Sequence, residues 1–310
     1  MPQYVAVVFV HGISNRAIDF ASPMQRALLS ELPNEKIGYV DFASVEWAGK
    51  VRHLQSNFMS KVQGAYPDIV DNRLRRFLLG GLGDAAAYQK TRPPANSSYS
   101  EIQTCITDTL ARLDRDHEKK KNRPLIFIGH SLGCHIISSY AWDLNKLKQR
   151  TQADIQMEPL DIQQRWKELQ EASKFRRLET FAGFVTLGSN MPLFTFAFAR
   201  KDVRPITSAP DDSCGRTLKA AFPGIALDGR ILGHARWLNF FSKRDILGFP
   251  LKPLYEAFEM DPILEDVCVK SESLRTRFVP YWSFLSAHKG YWTNRTVIGR
   301  TANLISNIIG

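Results

Sequence analysis

The chain is poor in the features that would assign it at a glance. No apolar stretch among its 310 residues approaches the ~20 needed to cross a bilayer as a helix, so no transmembrane helix is expected. Cysteine is sparse. Cys105, Cys134, Cys214 and Cys268 lie far apart, with no C-x-x-C pair and no histidine at ligand spacing. That disfavours a disulfide framework or a zinc module and predicts reduced thiols in a cytoplasmic protein. The first residues, "MPQYVAVVFVHG", lack the basic segment of a secretory leader. No internal repeat, low-complexity tract or linker divides the chain, so a single domain over residues 1–310 is expected.

Acidic residues are outnumbered, 31 against 41 Lys and Arg, for a formal charge of +10. The basic clusters "RLRR" (73–76), "KKKNR" (119–123), "KLKQR" (146–150) and "KFRR" (174–177) carry no interleaved aromatics and match no nucleic-acid module. A solvated surface is the expectation, with peripheral contact to an anionic membrane left open and no nucleic acid expected.

What is present is a set of buried-strand signals. "YVAVVFV" (4–10), "LIFI" (125–128) and "ETFAGFVTLGS" (179–189) are apolar on both faces, as strands of a covered parallel sheet are. "IGYVDFASVEW" (37–47) reads as another of this type, "ARWLNFFS" (235–242) as a fifth and "TRFVP" (276–280) as a short sixth. Helical spacing lies between them, in "PMQRALLSEL", in the run Ile102, Ile106, Leu110, Leu113 after a capping box at Ser98 and Glu101, and in the amphipathic C-terminal segment. The pattern predicts an α/β fold with a mostly parallel central sheet and helices on both faces. Helical insertions are expected at about 50–95 and 149–178, the second as a possible cap. "GGLGD" (80–84) follows no strand and reads as a loop rather than a dinucleotide fingerprint. Residues 200–233 read as irregular.

Ser131 sits in "FIGHSLGCH" at G-x-S-x-G spacing, between Gly129 and Gly133. The pattern alone arises by chance in about one chain of this length in ten. Its context is more restrictive: a buried strand ends just before it, and Ile136, Ile137, Tyr140, Ala141, Leu144 and Leu147 share a helical face just after. A strand-to-helix turn this short lifts a serine above the sheet edge. A serine hydroxyl also needs a base, and the base a carboxylate. In such a sheet the partners are sought after later strands. Asp245 follows "WLNFF" and His288 follows "RFVP", giving the chain order Ser, Asp, His; Asp261 and Asp266 are alternative acids. Of the other histidines, the side chain of His130 is expected to point elsewhere and His135 to pack against a neighbour. His117 lies in a charged tail, and His53 and His234 follow no strand end. Cys134 reads as a small packed residue. An oxyanion would need two backbone N–H donors. Leu132 would give one and Ile13, in the loop "VHGIS", the other, with His11 and Gly12 shaping that loop.

These residues resemble the α/β-hydrolase family, in its serine esterase and lipase type. The resemblance is carried by "FVHGIS", "GHSLG", "FVTLGSNMPLF", "WLNFFSKRDILGFPL" and "HKGYW", while 50–95 and 149–178 match nothing in the family and the acid segment has "SKRD" where many relatives place several acidic or proline residues. It implies hydrolysis of carboxylic esters, with lipid or acyl esters among the substrates, through an acyl-enzyme and with no metal or organic cofactor. The same triad acting on thioesters or amides or in acyl transfer is the alternative, as is a catalytically silent binding protein. Phe194, Phe196 and Phe198 read as ordinary core or, alternatively, as the lining of an acyl pocket that 149–178 would cover as a lid.

Overall fold

Along the first strand, β1 (Val5–Val10), Val5, Val7 and Phe9 face one side and Ala6, Val8 and Val10 the other; all six are fully buried. Period-two alternation with both faces apolar requires cover above and below. The computed structural model, described over residues 2–12, 19–65, 88, 97–115, 122–195, 236–254, 263–271 and 286–310, supplies that cover. After β1 come α1 (Ser22–Glu31), β2 (Val40–Val45), α2 (Gly49–Ala65) and α3 (Ser98–Arg115). Then follow β3 (Leu125–His130), α4 (Leu132–Lys148), a short α5 (Gln152–Gln156), α6 (Leu160–Glu171) and β4 (Phe181–Leu187). The last elements are a short α7 (Met191–Thr195), β5 (Trp237–Phe241), β6 (Leu264–Cys268) and α8 (Arg295–Ile309).

The six strands form one parallel sheet in the order β2-β1-β3-β4-β5-β6. Met24 and Leu28 of α1, with Leu304, Ile305 and Ile308 of α8, cover the face of Val5, Val7 and Phe9. Ile102, Ile106 and Leu110 of α3, with Ile136, Ile137 and Tyr140 of α4, cover the other. The chain is thus an α/β protein with helices on both faces of its sheet. Strand order reverses between β1 and β3, which opens a crevice at the carboxyl ends of those two strands.

Several sequence expectations shift. β2 is an edge strand, mostly half-buried, and is entered through a 3-10 turn (Asn34–Tyr39), so the strand is shorter than 37–47 and is not covered on both faces. Helix α3 is capped one residue earlier than expected: the Ser97 hydroxyl accepts the Ser100 N–H at 3.2 Å. The sixth strand is "LEDVC" at β6, while "TRFVP" lies outside the described residues. So do most of 66–96 and all of 196–235.

The 149–178 segment forms α5 and α6, but not over Ser131. Helix α4 spans 17 residues, about 25 Å at 1.5 Å per residue, and α6 packs beside its far end. Leu169, Ala172 and Arg165 there line a cleft of about 170 Å³ with Leu144 and Leu147 of α4. The segment joins the end of α4 to the start of β4, and both lie at the sheet edge opposite Ser131. This placement corrects the expectation of a lid. Among the described residues no helix is long and apolar enough to cross a membrane.

Candidate active site

β3 ends at His130 and α4 starts at Leu132, so Ser131 alone makes the turn. It does so at φ 53° and ψ −123°, a region that costs a non-glycine residue about 1–3 kcal/mol and is tolerated where the surroundings over-determine it. Here the Ser131 N–H donates to Leu187 O at 2.9 Å and the Ser131 carbonyl accepts the Cys134 N–H at 3.0 Å. The flanking glycines admit close packing. A methyl on Gly133 would collide with the Val10 carbonyl, and one on Gly129 would lie 2.9 Å from Cys134 Cα. Leu132 occupies the first position of α4, where the N–H has no acceptor within the helix. That is the donor expected beside the nucleophile.

The crevice brings the end of β1 against this turn. A methyl on Gly12 would lie 2.6 Å from Ser131 Cβ. His11 donates from Nδ1 to Gly12 O at 2.8 Å, and its own carbonyl accepts the Trp47 indole N–H at 3.0 Å. Its ring stacks on Trp47 at 4.9 Å, with Phe20 edge-on. These contacts fix His11 and Gly12 at the end of β1. Ile13, the second expected donor, lies outside the described residues.

Asp245 and His288 meet after β5 and β6. His288 Nδ1 is 3.0 Å from each carboxylate oxygen, and both residues are buried. Because the carboxylate can only accept, Nδ1 carries a proton, and in the neutral ring the lone pair is then on Nε2. The Leu247 N–H donates to Oδ1 at 3.0 Å and the Tyr291 hydroxyl to Oδ2 at 2.8 Å. Burial pushes the Asp245 carboxyl up, but the His288 contact and these two donors outweigh it, leaving Asp245 below its ordinary value. Burial, reinforced by the Asp245 charge, drives the Tyr291 hydroxyl well up, so it remains a donor.

The rival acid is committed elsewhere. Asp266 accepts the N–H groups of Leu251 and Lys252 at 2.8–3.0 Å, and Asn239 Nδ2 at 2.7 Å. Asp261 lies outside the described residues. Cys134 is buried, with its thiol pushed up to about 12 by burial, and is a packed residue as expected. His135 stacks on Phe194 at 4.1 Å. Phe194 is the described member of the expected acyl-pocket trio; Phe196 and Phe198 lie outside the described residues.

One expectation fails outright. His130 does not point away: its Nε2–H donates to the His288 carbonyl at 2.6 Å and its ring lies 4.8 Å from that of His288. Tyr291 is a site residue that the sequence reading does not reach. Its place three residues after His288, in "HKGYW", is the available signal.

Ser131 Oγ and His288 Nε2 are both buried, and neither has a hydrogen-bond partner among the described residues. The Ser–His bond is thus not made in this conformation; such contacts often tighten only when substrate binds. Comparison of the chain with protein-family models, curated proteins and solved structures gave no match.

Proposed function

We propose that the chain is a serine hydrolase that cleaves carboxylic esters through an acyl-enzyme, with Ser131 as nucleophile, His288 as base and Asp245 as its orienting acid. The observation that supports this reading is the buried Asp245–His288 pair at the sheet edge where Ser131 alone makes a strained strand-to-helix turn. Ser131 Oγ and His288 Nε2, the two atoms between which a proton has to pass, are buried with no partner among the described residues, as are other side-chain atoms such as Thr180 Oγ1 and Thr301 Oγ1.

In the reaction, His288 Nε2 takes the hydroxyl proton as Ser131 Oγ bonds to the ester carbonyl carbon. Asp245 stabilises the imidazolium through the Nδ1–H bond. The oxyanion accepts the Leu132 N–H, at the positive end of α4. Collapse breaks the ester C–O bond, and the leaving alcohol carries off the His288 proton. Water, deprotonated by the same nitrogen, then releases the acid and restores Ser131. Leu193, in α7 just past β4, and Ile246, next to Asp245, are large apolar side chains left 45% and 63% exposed, which suits an apolar group on the substrate.

The test is labelling with a fluorophosphonate, which needs an activated serine and no knowledge of the substrate. Wild type labels and Ser131→Ala does not. Labelling that persists in the alanine variant refutes Ser131 as the reactive residue. A folded wild type that never labels favours the silent binding protein.

A further inference from the structure

We infer that His130, the residue before Ser131, is a positioning residue for His288: its side chain fixes the main chain of the base loop directly to the strand that carries the nucleophile. This rests on the reading of Ser131 and His288 as nucleophile and base.

Geometry carries the inference. The Nε2···O distance of 2.6 Å joins residues 158 positions apart, in buried surroundings. A carbonyl only accepts, so Nε2 bears the proton and Nδ1 is bare. The His130 ring faces His288 at 4.8 Å, Trp292 at 5.5 Å and Tyr291 at 6.3 Å, so its aromatic contacts belong to the turn that presents the base. Other bonds among the described residues also hold that turn: the Ser271 hydroxyl donates to Ala287 O at 2.6 Å, Asn294 Nδ2 to Lys270 O at 2.8 Å, and His288 Nδ1 and the Tyr291 hydroxyl to Asp245. These run to the segments that follow β6 and β5, whereas the His130 bond ties the turn to the residue bonded covalently to Ser131, on main chain fixed by β3 and by the Leu187 carbonyl.

The imidazole also suits the task electrically. Burial, aided by the nearness of the His288 ring, pushes His130 down to about 3, against the opposing pull of its bond to the His288 carbonyl and of Asp245, with a smaller downward push from His11. His130 is therefore neutral near pH 7, and it donates without placing a positive charge of its own beside the His288 ring.

The experiment compares wild type, His130→Leu, His130→Gln and His130→Asn by the rate of fluorophosphonate labelling across pH, and by the NMR signals of the His288 ring. Leucine removes the donor. Glutamine places an amide N–H at a similar reach, whereas asparagine keeps an amide but falls short. The Leu and Asn variants should label about tenfold or more slowly, with a displaced pH profile and shifted His288 ring signals. The Gln variant should recover to within about threefold. A merely structural histidine would not give this order, because Asn and Gln differ in reach and not in polarity. If Leu fails to fold, the Asn–Gln comparison decides. Labelling and pH profiles of Leu or Asn that match wild type overturn the inference. If wild type itself does not label, the hydrolase reading falls, and the ring signals settle the inference separately: shifts in Asn restored in Gln support positioning, and unchanged signals overturn it.

Discussion

Gly188→Ala tests the site at its most crowded point. Gly188 follows β4 with φ +55°, and a methyl there would lie 2.7 Å from Asp245 Oδ2, 2.8 Å from Tyr291 Cε2 and 3.3 Å from His288 Nδ1. Two effects follow. The positive φ costs an L-residue about 1–2 kcal/mol, a loss read as a lower denaturation midpoint. The steric effect falls on the pair itself. A carbon and an oxygen rest at about 3.3 Å or more, so the carboxylate has to retreat by roughly 0.6 Å. Its bond to His288 Nδ1, now 3.0 Å, then passes out of hydrogen-bonding range. Complete loss of this orienting contact costs a triad about 10⁴ in turnover, and partial displacement should cost about a hundredfold. Labelling rate and unfolding midpoint, measured on the same preparation, separate the two effects. A variant with a lowered midpoint that still labels within threefold of wild type would refute the claim that Gly188 is small to make room for the Asp245–His288 pair.

Stability should fall on the acid side through His130. Its folded value, about 3, lies below the ~6.5 of an unfolded histidine, so the unfolded chain binds the extra proton between those limits. The contribution is complete above about pH 6.5 and is lost as pH falls towards 3, at about 1.4 kcal/mol per pH unit. Near pH 5 that is about 2 kcal/mol, with His288, Asp245 and His11 facing the ring. Urea titrations at pH 7.5 and 5 should show this drop in wild type and a smaller one in His130→Gln; equal drops would contradict it. Far from the site, Gly299 lies inside α8, and a methyl there would meet nothing within 4 Å. Gly299→Ala should raise stability by about 0.5–1 kcal/mol and leave labelling unchanged, as read by thermal unfolding.

The parts legible in the sequence are those where one physical demand dominates. β1, β3, β4 and β5 are covered on both faces, so their runs are continuously apolar and easily seen. β6 is an edge strand, and "LEDVC" spends Glu265 and Asp266 on polar duties, which hides it. The turn at Ser131 is visible because strand, serine and helix follow without a gap. Asp245 stands ahead of Asp266 in the sequence because it follows a strand directly, and the structure adds that Asp266 is committed to main-chain N–H groups. The role of His130 is hidden because alternation along a strand says nothing of what a distant loop brings to meet a side chain. The lid expectation fails for a topological reason: a segment between a helix end and the next parallel strand's start lies at the amino edge, away from the chemistry.

Asp266 has one more effect. By gripping Leu251 and Lys252, while Asn239 holds the Phe249 carbonyl and the Phe249 N–H reaches Ser189 O, it knots the main chain a few residues past Asp245. The stretch after Asp245 is thereby tethered to the edge strand and to the end of β4 at once, so a change that loosens Asp266 would reach Asp245 through its own main chain.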